Sequence, residues 1–173
     1  MRCVVEVAAV RAEPREDAEQ VTQALRGEAL AVEARRDGWA RVVTGYGYSG
    51  WLREEAVCDG EPLSLARGFL GAPYEWGGLT AAGIDCSGLV HIAFRLAGRL
   101  VPRDAWQQEA AGKVLPEGAL RPGDLVTYGE ARADHVAFWL GGGRILHSRF
   151  GAGVVEEPEP PPLRARRRAA VRL

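Results

Sequence analysis

The sequence contains few cysteines and no long apolar run. Three cysteines, Cys3, Cys58 and Cys86, are too few and too scattered for a disulfide framework, and none forms the C-x-x-C pair of a zinc or redox site. No apolar stretch approaches the roughly 20 residues of a membrane span, and the first residues lack the basic and apolar regions of a secretory signal. We therefore expect a cytoplasmic chain in a reducing compartment. A secreted chain whose signal had been removed would have the same sequence.

Internal repeats are absent as well, and the composition does not suggest disorder. With 173 residues, 47% of them hydrophobic, the chain is long enough for a small domain followed by a larger one. Five arginines are concentrated among the last ten residues: Arg164, Arg166, Arg167, Arg168 and Arg172. Such segments occur in tails that bind nucleic acid or membranes, and also in solvated edge strands or chain ends. We predict the latter, with no nucleic-acid or membrane partner.

Residues 1–60 contain several short strand-like segments separated by glycine turns. Examples are Ala29–Val32, Trp39–Val43 and Tyr48–Leu52. Many short strands within about 60 residues predict a small all-β barrel. The segments Asp37-Gly38-Trp39-Ala40-Arg41-Val42 and Gly47-Tyr48-Ser49-Gly50-Trp51-Leu52 resemble those of a bacterial SH3 (SH3b) domain. We therefore predict one domain at residues 1–60 and a second at residues 61–173.

The second part of the chain is organised around a glycine-rich, aromatic loop that leads into a helix. After Cys86, apolar residues recur at helical spacing and stop at Gly98. Cys86 therefore lies in the first helical turn, where unpaired N–H groups and the helix dipole favour a thiolate. We expect its pKa to lie below the usual value of about 8.5. A cysteine in that position is suited to nucleophilic attack, although many free cysteines are only small buried hydrophobic residues.

Two histidines flank a predicted hairpin and can supply the base that a nucleophilic cysteine needs. If Gly141, Gly142 and Gly143 form a three-residue loop, position 137 falls opposite His147, and His135 projects from the same face as His147. A two-residue loop would place the two imidazoles on opposite faces. In the first case a helix N-terminus docked against that face would bring Cys86 to a proton acceptor and its orienting partner. His91 faces elsewhere on the cysteine helix, and we interpret it as structural.

These motifs together resemble the NlpC/P60 family of papain-like cysteine peptidases. The resemblance rests on five segments: Pro73-Tyr74-Glu75-Trp76-Gly77-Gly78, Asp85-Cys86-Ser87-Gly88-Leu89-Val90, Pro102-Arg103, Arg121-Pro122-Gly123-Asp124-Leu125, and His135-Val136 followed by Leu146-His147. It implies an α+β fold class, with an SH3b barrel followed by a papain-like domain in which helices pack on an antiparallel sheet. It also implies that Cys86 is the nucleophile, His135 the base and His147 the orienting residue, and that Tyr74 serves the oxyanion or substrate subsite.

One SH3b domain followed directly by this peptidase domain resembles the members that act on small murein peptides with a free N-terminal L-Ala. Recognising an ammonium group needs carboxylates and hydroxyls within hydrogen-bond reach. Asp104 fits that role by its motif position, and Tyr48 and Glu13 are the candidates from the first domain. Asp85 and Ser87 flank the nucleophile and can line the cleft; their alternative role is helix capping. Arg103 either faces a substrate carboxylate or pairs with a local acid.

The resulting hypothesis is a monomeric cysteine endopeptidase that cleaves the γ-D-Glu–diamino acid bond of L-Ala-γ-D-Glu-diamino acid peptides. No metal or organic cofactor is implied. Two alternatives remain at this point. One is a secreted lysin that acts on polymeric peptidoglycan, and the other is a non-catalytic wall-binding protein built on a peptidase fold.

Overall fold

The computed structural model describes residues 1–116 and 118–173. The chain divides into two compact units, Met1–Gly68 and Phe69–Leu173. Helix α1 (Pro62–Arg67), which we had assigned to the second domain, falls within the first unit. Arg26 explains this placement, because one of its guanidinium nitrogens donates to the carbonyl oxygens of both Val4 (2.7 Å) and Gly68 (2.8 Å).

The first unit is an all-β barrel-like domain, followed by α1. A five-stranded antiparallel sheet has the order β3-β2-β6-β5-β4, and β1 pairs with β7. The strands are β1 (Arg2–Cys3), β2 (Val7–Arg11), β3 (Gln20–Leu25), β4 (Leu30–Arg36), β5 (Trp39–Thr44), β6 (Ser49–Arg53) and β7 (Val57–Cys58), with a 3₁₀ turn at Glu54–Ala56. Sequence reasoning did not recognise β3 as a strand. Only Ala24 of its six residues is buried, so the apolar alternation that identifies a strand is weak.

The second unit is an α+β domain with one large antiparallel sheet, as predicted. Six strands have the order β10-β15-β11-β12-β13-β14, and a small pair, β8 and β9, precedes the cysteine helix. The elements are β8 (Leu79–Thr80), β9 (Gly83–Ile84), α2 (Cys86–Leu96), α3 (Ala105–Ala111), β10 (Lys113–Val114), β11 (Leu125–Tyr128), β12 (His135–Gly141), β13 (Arg144–Arg149), β14 (Gly153–Pro158), α4 (Pro161–Arg164) and β15 (Arg167–Arg172).

The body of helix α2 packs on the sheet face opposite to the two histidines. Phe94 of α2 stacks on Phe138 of β12, with ring centroids 6.2 Å apart. Successive strand residues point to opposite faces, so His135 projects away from Phe138. The reason is apolar matching: the Phe138 face carries fully buried apolar side chains such as Leu146, and it covers the apolar stripe of α2. Only the first turn of α2 comes close to the start of β12.

The arginine-rich segment runs from α4 into β15, and β15 is an inner strand of the sheet, so the expected solvated edge strand or chain end was wrong. Strand β15 lies between β10 and β11 and is paired on both sides. Each of the five arginines of the segment forms an ion pair with a carboxylate of the same unit, and these pairs are Arg164–Glu159, Arg166–Asp134, Arg167–Glu159, Arg168–Glu109 and Arg172–Asp124. The positive charge of the segment is therefore largely compensated within the second unit.

None of the helices in the described part of the chain has the length and apolar character needed to cross a bilayer.

Candidate active site

Asp85 sets the start of the cysteine helix. Its extended backbone makes it the N-cap of α2, and its Oδ1 accepts a hydrogen bond from the N–H of Gly88 at 2.6 Å. Its Oδ2 accepts a hydrogen bond from the N–H of Gly77 at 2.7 Å. Position 88 requires glycine, because a Cβ there would collide with the carbonyl oxygen of Gly78. Asp85 thus joins the glycine-rich loop to the first turn of α2 and fixes where Cys86 lies.

Arg103 pairs with Asp85. Of the two roles considered for Arg103, a substrate carboxylate or a local acid as its partner, the structure shows the local acid. Its Nη1 and Nη2 donate to the two carboxylate oxygens of Asp85 at 2.9 and 2.8 Å, and Nη1 also donates to Ser87 Oγ at 2.9 Å. Burial opposes ionisation of Asp85, but Arg103 and the N–H groups of Gly88 and Gly77 outweigh it and hold the pKa of Asp85 below its usual range. Both side chains are therefore charged, and each is paired with the other.

Cys86 is the first residue of α2, as predicted, but its resting protonation state differs from our expectation. Burial, together with the smaller effect of the Asp85 charge, raises the pKa of the Cys86 thiol to about 11. The backbone N–H groups of Val136, Ser87 and Cys86 act in the opposite direction without overcoming burial. The thiol is 6% exposed. The expected low pKa was wrong because water is excluded from the sulfur, so the resting form is a thiol.

The two histidines face each other, through a hairpin geometry that neither loop alternative described fully. Gly141 pairs with Arg144, so the turn contains only Gly142 and Gly143. A bulge between Trp139 and Gly141 then restores the register, and Phe138 pairs with Leu146. Position 137 consequently lies opposite position 147, as in the three-residue case, and the imidazoles share a face. His135 Nε2 lies 2.8 Å from His147 Nδ1.

Glu157 extends this pair and was missed by the sequence analysis. Its Oε1 lies 2.9 Å from His147 Nε2 and accepts a hydrogen bond from Arg149 Nε at 2.9 Å. Burial opposes ionisation of Glu157, but His147 and Arg149 outweigh it and keep its pKa below the usual range. The signal that could have identified it is alternation on β14. Glu157 pairs with Ile145, two residues before His147, but the prolines that follow Glu157 weaken the strand pattern in the sequence.

The carboxylate of Glu157 determines which ring nitrogens carry protons. A carboxylate only accepts hydrogen bonds, so His147 donates from Nε2 and accepts at Nδ1. His135 must then donate from Nε2, which leaves its Nδ1 lone pair free. Burial lowers the pKa of His135, and His147 and Arg166 lower it further. Burial also lowers the pKa of His147, although Glu157 opposes the shift. Both imidazoles are neutral at pH 7, and His135 is ready to accept a proton.

For the peptide hydrolysis proposed in the next subsection, we expect Glu157→Gln to lower kcat/KM about tenfold, the rate equivalent of one lost hydrogen bond to a charged group. The acid limb of the pH profile should also move to lower pH, because Glu157 raises the pKa of its histidine partner. Steady-state kinetics from pH 4 to pH 9 would measure both changes. Glu156→Gln removes the neighbouring carboxylate, on the opposite face of β14, and should leave the limb in place. An unchanged limb in Glu157→Gln would contradict a positioning role.

A pocket of about 300 Å³ opens beside the thiol. Its lining includes Cys86 together with Asp85, Ser87 and Asp104, three of the predicted substrate-binding residues. Asp104 is the exposed N-cap of α3, and Gln107 Oε1 accepts a hydrogen bond from its N–H at 3.2 Å. Ser87 is buried and hydrogen-bonded to Arg103. The structure therefore places these three side chains together on the walls next to the sulfur.

Tyr74 is half-buried close to the nucleophile. Burial raises the pKa of Tyr74, and the charges of Cys86 and Asp85 raise it further. Its ring meets Phe150 edge-on, with centroids 6.0 Å apart. A protonated phenol beside the sulfur is a hydrogen-bond donor for a developing oxyanion.

The two remaining candidates, Glu13 and Tyr48, lie in the first unit. Glu13 is exposed and pairs with Arg15 at 3.3 Å. Tyr48 is exposed beside Tyr46, with ring centroids 5.7 Å apart. Their contact with a substrate remains a prediction. His91 hydrogen-bonds the carbonyl oxygen of Val101 through Nδ1 at 2.8 Å, in keeping with the structural role we assigned to it.

Known proteins share both parts of the chain. The sequence profile of the NlpC/P60 family matches residues 71–165, and that of the bacterial dipeptidyl-peptidase SH3 domain matches residues 10–57. Gamma-D-glutamyl-L-lysine dipeptidyl-peptidase of Bacillus subtilis is 35% identical over 134 residues, which are 69% of this chain and 44% of that protein. Peptidoglycan endopeptidase RipB of Mycobacterium tuberculosis is 37% identical over 99 residues, which are 50% of this chain and 41% of RipB. The chain spans less than half the length of these relatives.

Solved structures show the same fold. An NlpC/P60 family protein from Bacillus cereus superposes with a TM-score of 0.65 at 24% identity, over 99% of this chain and 62% of the other. RipD of Mycobacterium tuberculosis, described as a non-catalytic NlpC/p60 domain protein adapted to peptidoglycan binding, has a TM-score of 0.57 at 26% identity, over 65% of this chain and 95% of RipD. The fold is thus found in proteins with and without catalysis. From the matched profile and these relatives, the chain belongs to the NlpC/P60 family and carries a bacterial SH3 domain ahead of the peptidase-type domain.

Proposed function

We propose that this protein is a cysteine peptidase that cleaves the γ-D-Glu–diamino acid bond of peptidoglycan stem peptides whose L-Ala amine is free. The observation that carries the proposal is the hydrogen-bonded line from His135 through His147 to Glu157, which crosses β12, β13 and β14. The residue after His135 on β12, Val136, reaches Cys86 through its N–H. A protein that only bound peptidoglycan would have no use for a hydrogen-bonded pair of neutral imidazoles, one of them fully buried, on strands next to a buried thiol. The names of the relatives support the choice of substrate class.

The reaction begins from the neutral pair. His135 Nδ1 takes the thiol proton while the sulfur attacks the γ-carbonyl carbon, and the C–S bond forms as the carbonyl electrons move to oxygen. The imidazolium that results is stabilised through His147 by the Glu157 carboxylate. Because burial disfavours an isolated thiolate, proton transfer and attack are coupled.

The tetrahedral oxyanion then needs donors. The N–H of Cys86, at the start of α2, and the hydroxyl of Tyr74 serve this role in our proposal. Collapse expels the amine of the diamino acid, which leaves with the proton held by His135. Water activated by the same histidine hydrolyses the thioester, releases L-Ala-γ-D-Glu and returns the sulfur to its thiol form.

Asp104 supplies the preference for a free amine. It lines the same pocket as Cys86, and its carboxylate has no cationic partner at ion-pair distance within residues 1–116 and 118–173. An unpaired carboxylate in a partly enclosed pocket attracts an ammonium group more strongly than a neutral amide. An enzyme with this preference acts on released peptides, which suits the recycling of murein fragments.

We expect the protein to hydrolyse L-Ala-γ-D-Glu-diaminopimelate at least tenfold faster than its N-acetylated form, because acetylation removes one charge-assisted hydrogen bond. Separation of the products by chromatography gives both rates. In Asp104→Asn the two rates should converge. Equal rates in the unaltered protein would favour a lysin that acts on intact wall, and no cleavage of either peptide would favour a binding protein.

A further inference from the structure

The charges around the pocket beside Cys86 do not all cancel. Arg103 is occupied by Asp85, and Asp134 pairs with Arg166 at 2.5 Å. Two charged side chains of the lining are left, Asp104 and Arg132, one negative and one positive. In the described part of the chain, neither has an oppositely charged group at ion-pair distance.

Arg132 is held over an aromatic surface rather than by an acid. Its guanidinium carbon lies 6.0 Å from the ring centroid of Trp106, which also lines the pocket. Such a contact limits where the side chain can go and leaves its five N–H donors available. Arg132 is exposed and precedes His135 by three positions, so a group bound by Arg132 lies close to the start of β12.

A pocket with one free cation and one free anion is complementary to a zwitterion. The acyl part of the proposed substrate is one, because L-Ala carries an ammonium and D-Glu carries a free α-carboxylate when its γ-carboxyl forms the scissile bond. Standard bond lengths separate the ammonium, the α-carboxylate and the γ-carbonyl carbon from one another by roughly 5 Å per step. A group of that size fits a volume of about 300 Å³ that has Asp104, Arg132 and Cys86 on its walls.

We infer that Arg132 binds the α-carboxylate of the D-glutamyl residue and makes the protein selective for stem peptides in which this carboxylate is not amidated. The inference rests on the proposed function for the identity of the ligand. Arg103 is unsuited to this task because its donors already serve Asp85, Ser87 and the carbonyl oxygen of Gly78. With the ammonium at Asp104, the D-Glu carboxylate is the one anionic group on the acyl side of the scissile bond. An α-amide would lose the charge that Arg132 recognises.

The test measures binding separately from turnover. In the full-length Cys86→Ala protein, calorimetry compares L-Ala-D-Glu with L-Ala-D-isoglutamine, its α-amide. We expect the free carboxylate to bind about tenfold more tightly, the usual worth of a hydrogen-bonded charge at a partly exposed site. Adding Arg132→Gln should abolish the preference, and Arg132→Lys should keep part of it. Arg144→Gln, which removes an exposed charge at the far end of the β12–β13 hairpin, should leave it unchanged.

The inference is overturned if Arg132→Gln keeps the preference, if the parent has none, or if neither dipeptide binds. Hydrolysis of the matching tripeptides by the protein with Cys86 intact is measured in parallel. Cleavage without a carboxylate preference removes the inference and leaves the proposed function standing. Carboxylate-selective binding without cleavage does the reverse.

Discussion

Replacing Cys86 with alanine is expected to reduce hydrolysis of L-Ala-γ-D-Glu-diaminopimelate by a factor on the order of 10⁶, to the limit of detection. The proposed chemistry forms a covalent thioester, and no other cysteine can replace the sulfur. Cys3 is buried in the first unit, and Cys58 lies in that unit as well. Single-turnover assays with a concentrated enzyme would measure the residual rate.

Two companion measurements make this result specific. Loss of one sulfur from a site 6% exposed leaves only a small cavity, so the circular dichroism spectrum and the melting temperature should change little. Mass spectrometry of the unaltered enzyme, quenched during turnover, should show an adduct with the mass of L-Ala-γ-D-Glu on the peptide that contains Cys86. Appreciable turnover by Cys86→Ala with an intact fold would remove the thioester mechanism.

Replacing Asp85 with alanine is expected to lower the free energy of unfolding by about 3–5 kcal/mol, the cost of breaking a buried ion pair from one side. Arg103 would lose its carboxylate, and the N–H groups of Gly77 and Gly88 would lose their acceptor. Urea denaturation followed by circular dichroism would measure the loss. An unfolded variant would agree with the upper end of this range.

The matched control is Asp134→Ala. Asp134 also pairs with an arginine, Arg166, but both side chains are about half exposed. Water already screens that pair, so its loss should cost about 1 kcal/mol or less. Equal losses in the two variants would mean that burial does not strengthen the Asp85–Arg103 pair, and that Asp85 is available for a substrate instead.

The parts of the site that the sequence predicted are those that depend on local residue spacing. The helical spacing after Cys86 predicted the start of α2, and strand alternation placed His135 and His147 on one face only for a three-residue loop. The family resemblance then identified the α+β fold and the antiparallel sheet, both of which the comparisons confirm. The bulge near Leu140 was not predictable, because nothing in a run of three glycines shows which residue leaves the ladder.

The parts that the sequence did not predict depend on distant contacts. Glu157 meets His147 only after β14 has paired with β13, and a proline-rich stretch gives no strand pattern to suggest it. The pKa of Cys86 depends on how completely the fold excludes water, and helix position alone does not reveal this. The same holds for the helix–sheet contact, which was decided by the apolar match between Phe94 and Phe138.

The place of β15 inside the sheet has a consequence for the order in which the protein is made. Strand β11 needs β15, about forty residues later in the chain, to complete its second edge. A ribosome releases residues from the N-terminus onward, so β11 emerges well before one of its two neighbours. The first unit, whose strand partners lie within residues 2–58, can fold while this happens. The sheet that carries the histidines is therefore completed last, and we expect the proposed peptidase activity to appear only after synthesis has passed Arg172.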